Sequence, residues 1–334
     1  MTHDDSFNAL IVHESGGEFH EVRLRRPRPG PGEVLVRIHA SGVNPLDAKI
    51  RAGVAAHARH PLPAILGLDL AGVVDAVGPD VIRFNVGDQV YGMTGGVGGL
   101  QGSMAQFAVV DARLLALKPR NLSMRQAAAM PLVVITAWEG LIDRPRTKAD
   151  HRVLVHGGAG GVGHVVVQIA RALGAEVFAT VAPAQFAVVQ SYGATPIDYG
   201  SASVEQYVAE YTGGEGFDVI YDTVGGAVLD ASFAAVRAYE GHVVSCLGWG
   251  THHLAPLSFR AATYSGVFTL RPLLTGRDRT HHGRILELAA GMAEAGKLTP
   301  MLDPRQFDLA TAAAAHAAVQ DGSARGKIVI DVRH

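Results

Sequence analysis

Cysteine is nearly absent. Cys246 is the one thiol in 334 residues, which excludes an internal disulfide and a zinc site built from several thiolates. No sign of charge prevails either. The 29 basic and 31 acidic residues leave a formal charge of −2, so no global field draws the chain to nucleic acid or to an anionic membrane. The most apolar window, 127–138, is interrupted by Pro131 and Thr136 and is shorter than the ~20 apolar residues a spanning helix takes. The first residues, Met1-Thr2-His3-Asp4-Asp5-Ser6, are acidic and polar, unlike a secretory or Arg-rich transit segment. The expectation is a soluble, cytoplasmic protein. Disorder is excluded as well, because 48% of the residues are apolar and 18% charged.

What is plentiful is glycine. Forty glycines exceed the usual ~7% of a chain, and they gather in short clusters, the pattern of turns that pass close to something. The length exceeds the ~100–200 residues of an ordinary domain, so two domains are expected. The first third reads as short strands closed by glycine: Phe7 to Val12, Glu33 to Ile38, Leu70 to Gly78, Gly87 to Gly92 and Met104 to Val110. Many short strands with frequent turns predict a barrel-like β domain. Ser123 and Gln126 form a capping box ahead of an apolar helix beginning at Ala127. From His151 the chain alternates strand, helix and strand. Strands fall at Val153–His156, Val177–Val181, Phe217–Asp222 and His242–Leu247, with helices at Val162–Leu173 and Ala184–Ser191. That alternation predicts a parallel, doubly wound sheet. Helices over Arg284–Ala295 and Ala310–Val319 and a strand over Lys327–Ile330 close the chain.

The strongest local signal is Gly-x-Gly-x-x-Gly at Gly158, Gly160 and Gly163, after a strand and opening a helix. Glycine permits the tight turn, the approach of backbone to a pyrophosphate and close helix–strand packing, and the helix N-terminus holds the anion. The bare pattern is weak, but its strand–helix context makes it a dinucleotide site. An NAD-selecting protein carries an acid ~20 residues further on. The window Phe178 to Gln185 has none, which favours NADPH, with NADH as the alternative. No Lys or Arg lies between Arg171 and Arg237, so a carboxyl-terminal cation, Arg325 or Lys327, is the candidate partner for a 2′-phosphate.

Several segments stand in a familiar order: Gly42-Val43-Asn44-Pro45-Leu46-Asp47, Leu66 to Val74, the Gly158–Gly163 loop with Gln168-Ile169-Ala170, Tyr221 to Gly226, and Gly326-Lys327-Ile328-Val329. Together they resemble the medium-chain dehydrogenase/reductase superfamily, in its zinc-independent quinone oxidoreductase (zeta-crystallin-like) branch. The resemblance implies an α/β fold. A GroES-like β-barrel domain, residues 1–125 with 265–334, would carry the substrate side, and a Rossmann domain, residues 126–264, the nucleotide. A homodimer is implied too. Zinc relatives have cysteine where Asn44 stands and histidine where Leu68 stands, and an amide and a leucine cannot make that site. The adjacent pairs His252-His253 and His281-His282 diverge on any regular element. No zinc is expected. Without a metal to hold an alkoxide, a conjugated acceptor suits best, since a quinone or enone delocalises the incoming charge and needs only positioning and hydrogen bonds.

The resemblance also assigns residues. Asn44 is either a neutral hydrogen-bonding group at the substrate end of the cleft or a turn residue before Pro45. Asp47 either orders that loop or contacts substrate, and Thr136 either lies near the nicotinamide or bonds back to its own helix. With Ala159, Gly161 and Val162 of the loop, Tyr199, Leu247, Gly248, Phe268, Thr269 and Leu270 match cofactor contacts. There are departures. Gln185 and Phe186 stand where relatives have a phosphate-binding lysine. The substrate-side tyrosine after Ile50-Arg51-Ala52-Gly53 is replaced by Val54, so the pocket is reshaped. Cys246 reads as a buried, inert thiol, and Arg23, Arg25, Arg26 and Arg28 as a solvated loop. The leading expectation is an NADPH-dependent reductase of quinones or other activated alkenes. The alternatives are a reductase of substituted acrylates or enoyl thioesters, using Arg51 and Arg59 at a basic mouth, and a non-catalytic NADPH-binding protein.

Overall fold

The computed structural model describes residues 5–333, and the chain divides into two units. The first takes in the chain up to Leu132, Leu270–Gly296 and the stretch from Pro300 onward; the second comprises Val133–Thr269 and Lys297–Thr299.

The first unit begins with β1 (Ser6–Val12), β2 (His20–Arg25), β3 (Glu33–Val43), α1 (Pro45–Arg51), β4 (Ala64–Ile65), β5 (Asp69–Val77), β6 (Gln89–Met93), β7 (Phe107–Asp111), β8 (Leu115–Leu117) and α2 (Met124–Ala128). Strand β3 is the spine. One edge pairs antiparallel with β5, and β7 pairs with its first half, Glu33 to Arg37. Its alternate residues Val34, Val36 and Ile38 point inward onto Leu70, Val74, Val90, Val110 and Leu115, the two-residue period of a half-buried strand. Helix α1 starts at Pro45, whose fixed φ and missing N–H suit a first helical position, behind extended Asn44 (φ −122°, ψ 153°). The arginine cluster lies partly on a strand. Arg23 and Arg25 belong to β2, and Arg26 stacks 4.6 Å from the Phe107 ring and pairs with Asp75.

The capping box forms: Gln126 N–H donates to Ser123 Oγ (3.2 Å) and Ser123 N–H to Gln126 Oε1 (2.9 Å). The single helix expected from Ala127 is instead two, α2 and α3 (Pro131–Trp138), because Pro131 has no N–H to continue a helix and starts a new one. Helix α2 packs on β3 and β5. The first unit therefore extends to Leu132 rather than ending at residue 125.

The second unit continues with β9 (Arg152–His156), α4 (Gly163–Ala172), β10 (Glu176–Val181), α5 (Phe186–Ser191), β11 (Thr195–Asp198), α6 (Val204–Thr212), β12 (Val219–Asp222), α7 (Ala227–Ala235), β13 (His242–Ser245), α8 (Ala255–Phe259) and β14 (Thr263–Gly266). The six strands are parallel, in the order β11-β10-β9-β12-β13-β14. This is the doubly wound dinucleotide-binding arrangement. Helices cover both faces of such a sheet, so Val153, Leu154, Val155, Val219, Ile220 and Tyr221 are all buried.

The chain then returns to the first unit through α9 (Arg271–Thr275), α10 (Arg279–Glu294), β15 (Phe307–Asp308), α11 (Ala312–Gln320) and β16 (Ile328–Asp331). Strand β16 pairs with residues Ala40 to Val43 of β3. Two stretches expected in the β domain lie elsewhere: 265–269 and Lys297–Thr299 belong to the second unit. Gln168 explains the latter, since its Nε2 donates to Thr299 O (3.0 Å) and its Oε1 accepts Thr299 N–H (2.8 Å). Among the described residues no helix is long and apolar enough to cross a membrane.

Candidate functional site

In the second unit the glycine motif forms the turn between β9 and α4, at the carboxyl end of the sheet and beside the point where strand order reverses. That is where open α/β sheets bind ligands. Two glycines are demanded by the fold itself. A Cβ on Gly163 would lie 2.1 Å from the Gly157 carbonyl oxygen, and one on Gly158 would lie 2.6 Å from Ala179 Cβ of β10. The turn is closed by Gly160 N–H on Gly157 O (2.9 Å) and His164 N–H on Gly160 O (3.0 Å). Among the described residues, the N–H groups of Gly161, Val162 and Gly163 find no acceptor in the chain. Open donors at the positive end of a helix suit a phosphate.

The neighbouring loops are braced by Asp222, which sequence reasoning left without a role. Its Oδ1 accepts Val224 and Gly225 N–H (both 3.0 Å) and its Oδ2 accepts Ser245 Oγ–H (2.7 Å). Ser245 Oγ in turn accepts Leu247 N–H (3.0 Å). The segments Thr223–Gly226 and Leu247–Gly248 are thereby fixed at the ends of β12 and β13. Burial pushes the His156 imidazole down to about 4, so it is neutral, with Nδ1 3.0 Å from Thr180 Oγ1. Burial also pushes the Cys246 thiol up to about 12, which leaves it a poor nucleophile.

The other expected residues lie as follows. Tyr199 is exposed on the turn after β11, and Phe268 packs edge-on against Trp249 at 6.5 Å between centroids. Thr269 is buried and closes the 133–269 stretch of the second unit, while Leu270 begins the returning part of the first. Thr136 lies buried on α3, its carbonyl accepting the Tyr221 hydroxyl (2.6 Å). The end of β10 continues into Ala182-Pro183-Ala184-Gln185, without acid or cation.

The first unit holds a second polar cluster. Asn44 Nδ2 donates to Asp69 Oδ2 (2.9 Å), and Asn44 Oδ1 accepts the Lys327 ammonium, which also donates to Val43 O (3.1 Å). Asp47 Oδ2 accepts Asn44 N–H (2.8 Å), and Asp69 Oδ1 accepts Leu132 N–H (3.0 Å). Asn44, Asp47 and Asp69 are 0% exposed and Lys327 is 5%. Two expectations are corrected here. Asn44 is not an open group facing substrate, because its amide is engaged on both sides. Asp47 accepts the Asn44 N–H of its own loop (2.8 Å). Lys327 is not a free cation for a 2′-phosphate, because it is buried against Asn44. Arg325 is exposed in the same unit, its backbone N–H on Asp303 Oδ2 (2.8 Å). Burial pushes Asp47 up to about 7 and Asp69 up to about 6, and it lowers Lys327.

Asp69 was missed, although its signal was present: a single acid inside Leu66-Gly67-Leu68-Asp69-Leu70-Ala71 marks a buried, partnered charge. Beyond α1, a cavity of about 540 Å³ is lined by Glu14, Ile50, Ala55, Arg59, His60 and Leu62, among others. Arg51 is not at a basic mouth. Its Nε donates to Gly17 O (2.9 Å) and its guanidinium stacks 4.6 Å from the Phe19 ring. Arg59 is exposed at the cavity.

Comparison with known proteins gives two family matches. An alcohol dehydrogenase GroES-like domain matches residues 30–120, and a zinc-binding dehydrogenase domain matches residues 192–330. The chain is 34% identical over 318 residues to a chloroplastic NADPH-dependent alkenal/one oxidoreductase of Arabidopsis thaliana, covering 93% of this chain and 75% of that protein. It is 35% identical over 304 residues to the spectinabilin polyketide synthase system protein NorB of Streptomyces orinoci. There it covers 90% of this chain but spans only 13% of the relative. The crystal structure of an alcohol dehydrogenase superfamily protein from Novosphingobium aromaticivorans superposes with a TM-score of 0.96 at 59% identity, covering 98% of this chain and 100% of that one.

Proposed function

The chain belongs to the medium-chain dehydrogenase/reductase superfamily, in its zinc-independent quinone-oxidoreductase-like branch, and from that membership we propose that it is an NADPH-dependent reductase of conjugated carbonyl compounds, enones and quinones. The observation that carries the reading is the turn at Gly158–Gly163, whose open amides are formed for an anion before any ligand arrives. The cofactor fits these residues: Ala159 to Gly163 would hold its pyrophosphate, and the segments braced by Asp222 and Ser245 would meet its nicotinamide end. A reduced nicotinamide, when bound, supplies a hydride. Absence of an acid after β10 leaves a 2′-phosphate unopposed, which supports NADPH over NADH.

The zinc named in one family match does not fit this chain. Where zinc relatives carry their ligands there are an amide already holding an ammonium and a leucine, and neither set of atoms suits a zinc ion. The acceptor must then carry its own charge sink, as an enone or quinone does. The named activity of the Arabidopsis relative supports the enone. The cavity beside α1, lined by both Arg59 and Glu14, is balanced in charge and supports a neutral acceptor. A homodimer belongs to the same reading, supported by the outer edge of β14, which has no partner strand among the described residues.

The test is oxidation of NADPH and of NADH with a naphthoquinone, a simple enone and an enoyl thioester, with EDTA throughout. EDTA-resistant, NADPH-preferring reduction of the enone or quinone supports the proposal. Turnover of the thioester alone shifts the reading to an enoyl reductase. Tight NADPH binding without turnover of any acceptor identifies a binding protein.

A further inference from the structure

Two carboxylates and one ammonium are joined through the Asn44 residue inside the first unit, and they come from three places in the chain. Asn44 and Asp47 open α1, Asp69 opens β5 and Lys327 precedes β16. The charged surroundings of each are the other members: Asp69 and Lys327 act on Asp47, and Asp47 and Asp69 act on Lys327. Neighbouring elements add little. The first turn of α3 offers Asp69 only the Leu132 N–H. Arg125 of α2 is paired with Asp331 of β16 (2.6 Å), and His316 of α11 lies edge-on to Phe19 (5.1 Å). One ammonium thus faces two carboxylates in the buried interior, and the remaining groups that act on Asp47 are the backbone amides of Asn44 and Leu68. An excess buried charge of this kind is strongly unfavourable unless compensated.

We propose that Lys327 is a positioning residue: its ammonium locks the Asn44 amide in one orientation and is the shared counter-ion of Asp47 and Asp69, so that the carboxyl-terminal segment holds the start of α1. The far end of that helix, Ile50, lines the cavity assigned above to the acceptor. The acceptor's part in this deepens the proposed function and rests on it; the electrostatics stand without it. The amide cannot turn over in place, because that would set its NH₂ against the ammonium and its oxygen against Asp69. Removing the ammonium leaves only protonation to neutralise the carboxylates, and protonation becomes harder as pH rises.

The experiment compares the full chain with Lys327→Met, Lys327→Arg and Lys327→Met/Asp69→Asn, by thermal melting from pH 6 to pH 9, NADPH titration and enone kinetics. Lys327→Met is expected to melt near the parent at pH 6 and to fall behind it by ~5–10 °C towards pH 9, a shift of the size one or two buried interactions give. Lys327→Arg and the double variant should recover most of that loss. At pH 6 the NADPH affinity of Lys327→Met should stay within ~2-fold of the parent while its enone KM rises ~10-fold, the split that marks lost acceptor positioning. A melting profile parallel to the parent's at every pH would overturn the proposal, as would a double variant no better than Lys327→Met. If Lys327→Met does not fold, recovery by the double variant decides the matter. If the parent reduces no enone, the proposed function fails, while the melting profiles still decide the role of Lys327.

Discussion

The two units treat polar groups in opposite ways. In the nucleotide unit the Gly161–Gly163 amides are left open, and the atoms that shape them are backbone and glycine. In the β unit Asn44, Asp69 and Lys327 satisfy one another in the interior. An open set of donors is a place for a ligand. A closed set is a device for holding backbone, and its formal charges do not make it a binding site. The contrast is useful because the same residues, read only as types, suggest the reverse: Lys327 resembles a phosphate partner and Asn44 a substrate donor.

The contrast can be broken most severely at the glycine turn. Gly163→Ala would put a methyl group 2.1 Å from the Gly157 carbonyl oxygen, which the turn can relieve only by moving the amides that follow. NADPH affinity is expected to drop by ~100-fold or more, about 2.7 kcal/mol, as read by fluorescence of the bound cofactor. An unchanged affinity would show that the turn does not hold the phosphates.

A smaller effect sharpens the other half. Asp47 is raised by burial from 3.8 to about 7, so between those values the folded chain binds a proton that the unfolded chain has released. Linkage then makes this group's contribution greatest below pH 4 and progressively lost as pH rises through 7. Asp47→Asn keeps an acceptor for Asn44 N–H and cannot ionise. Relative to the parent it should therefore gain stability as pH rises from 4 to 8, visible as a flatter melting profile. A difference independent of pH would contradict the buried, proton-holding carboxyl.

The smallest expected effect lies where the chain returns to the nucleotide unit. Gln168→Ala removes both hydrogen bonds to Thr299, worth ~1–2 kcal/mol together. Melting should fall by a few degrees, with the NADPH affinity of the glycine turn little changed. A large loss of affinity would show that 297–299 supports the turn.

Sequence made the glycine turn legible because its requirements are local. Gly158, Gly160 and Gly163 lie within six positions, and the carbonyl that demands Gly163 is that of Gly157 in the same turn. The buried strands β9 and β12 were equally plain as continuous apolar runs. The quartet was not legible, since Lys327 and Asn44 are 283 residues apart and nothing local distinguishes a lysine aimed inward from one aimed at solvent. Strands β11 and β14 escaped because Pro196 and the polar run Thr263-Tyr264-Ser265-Gly266 suppress the usual strand pattern. Lys297–Thr299 escaped because a short return leaves no mark in composition, and only the reciprocal bonds of Gln168 show it.

The central claim is that a hydride passes from nicotinamide to a conjugated carbon without a metal. The direct measurement is reduction of a simple enone by NADPH carrying deuterium at the transferable position of the nicotinamide, in EDTA, with the product examined by NMR. The account predicts a saturated ketone with one deuterium on the β-carbon. Deuterium on the carbonyl carbon of an allylic alcohol, or label transfer abolished by EDTA, would contradict it.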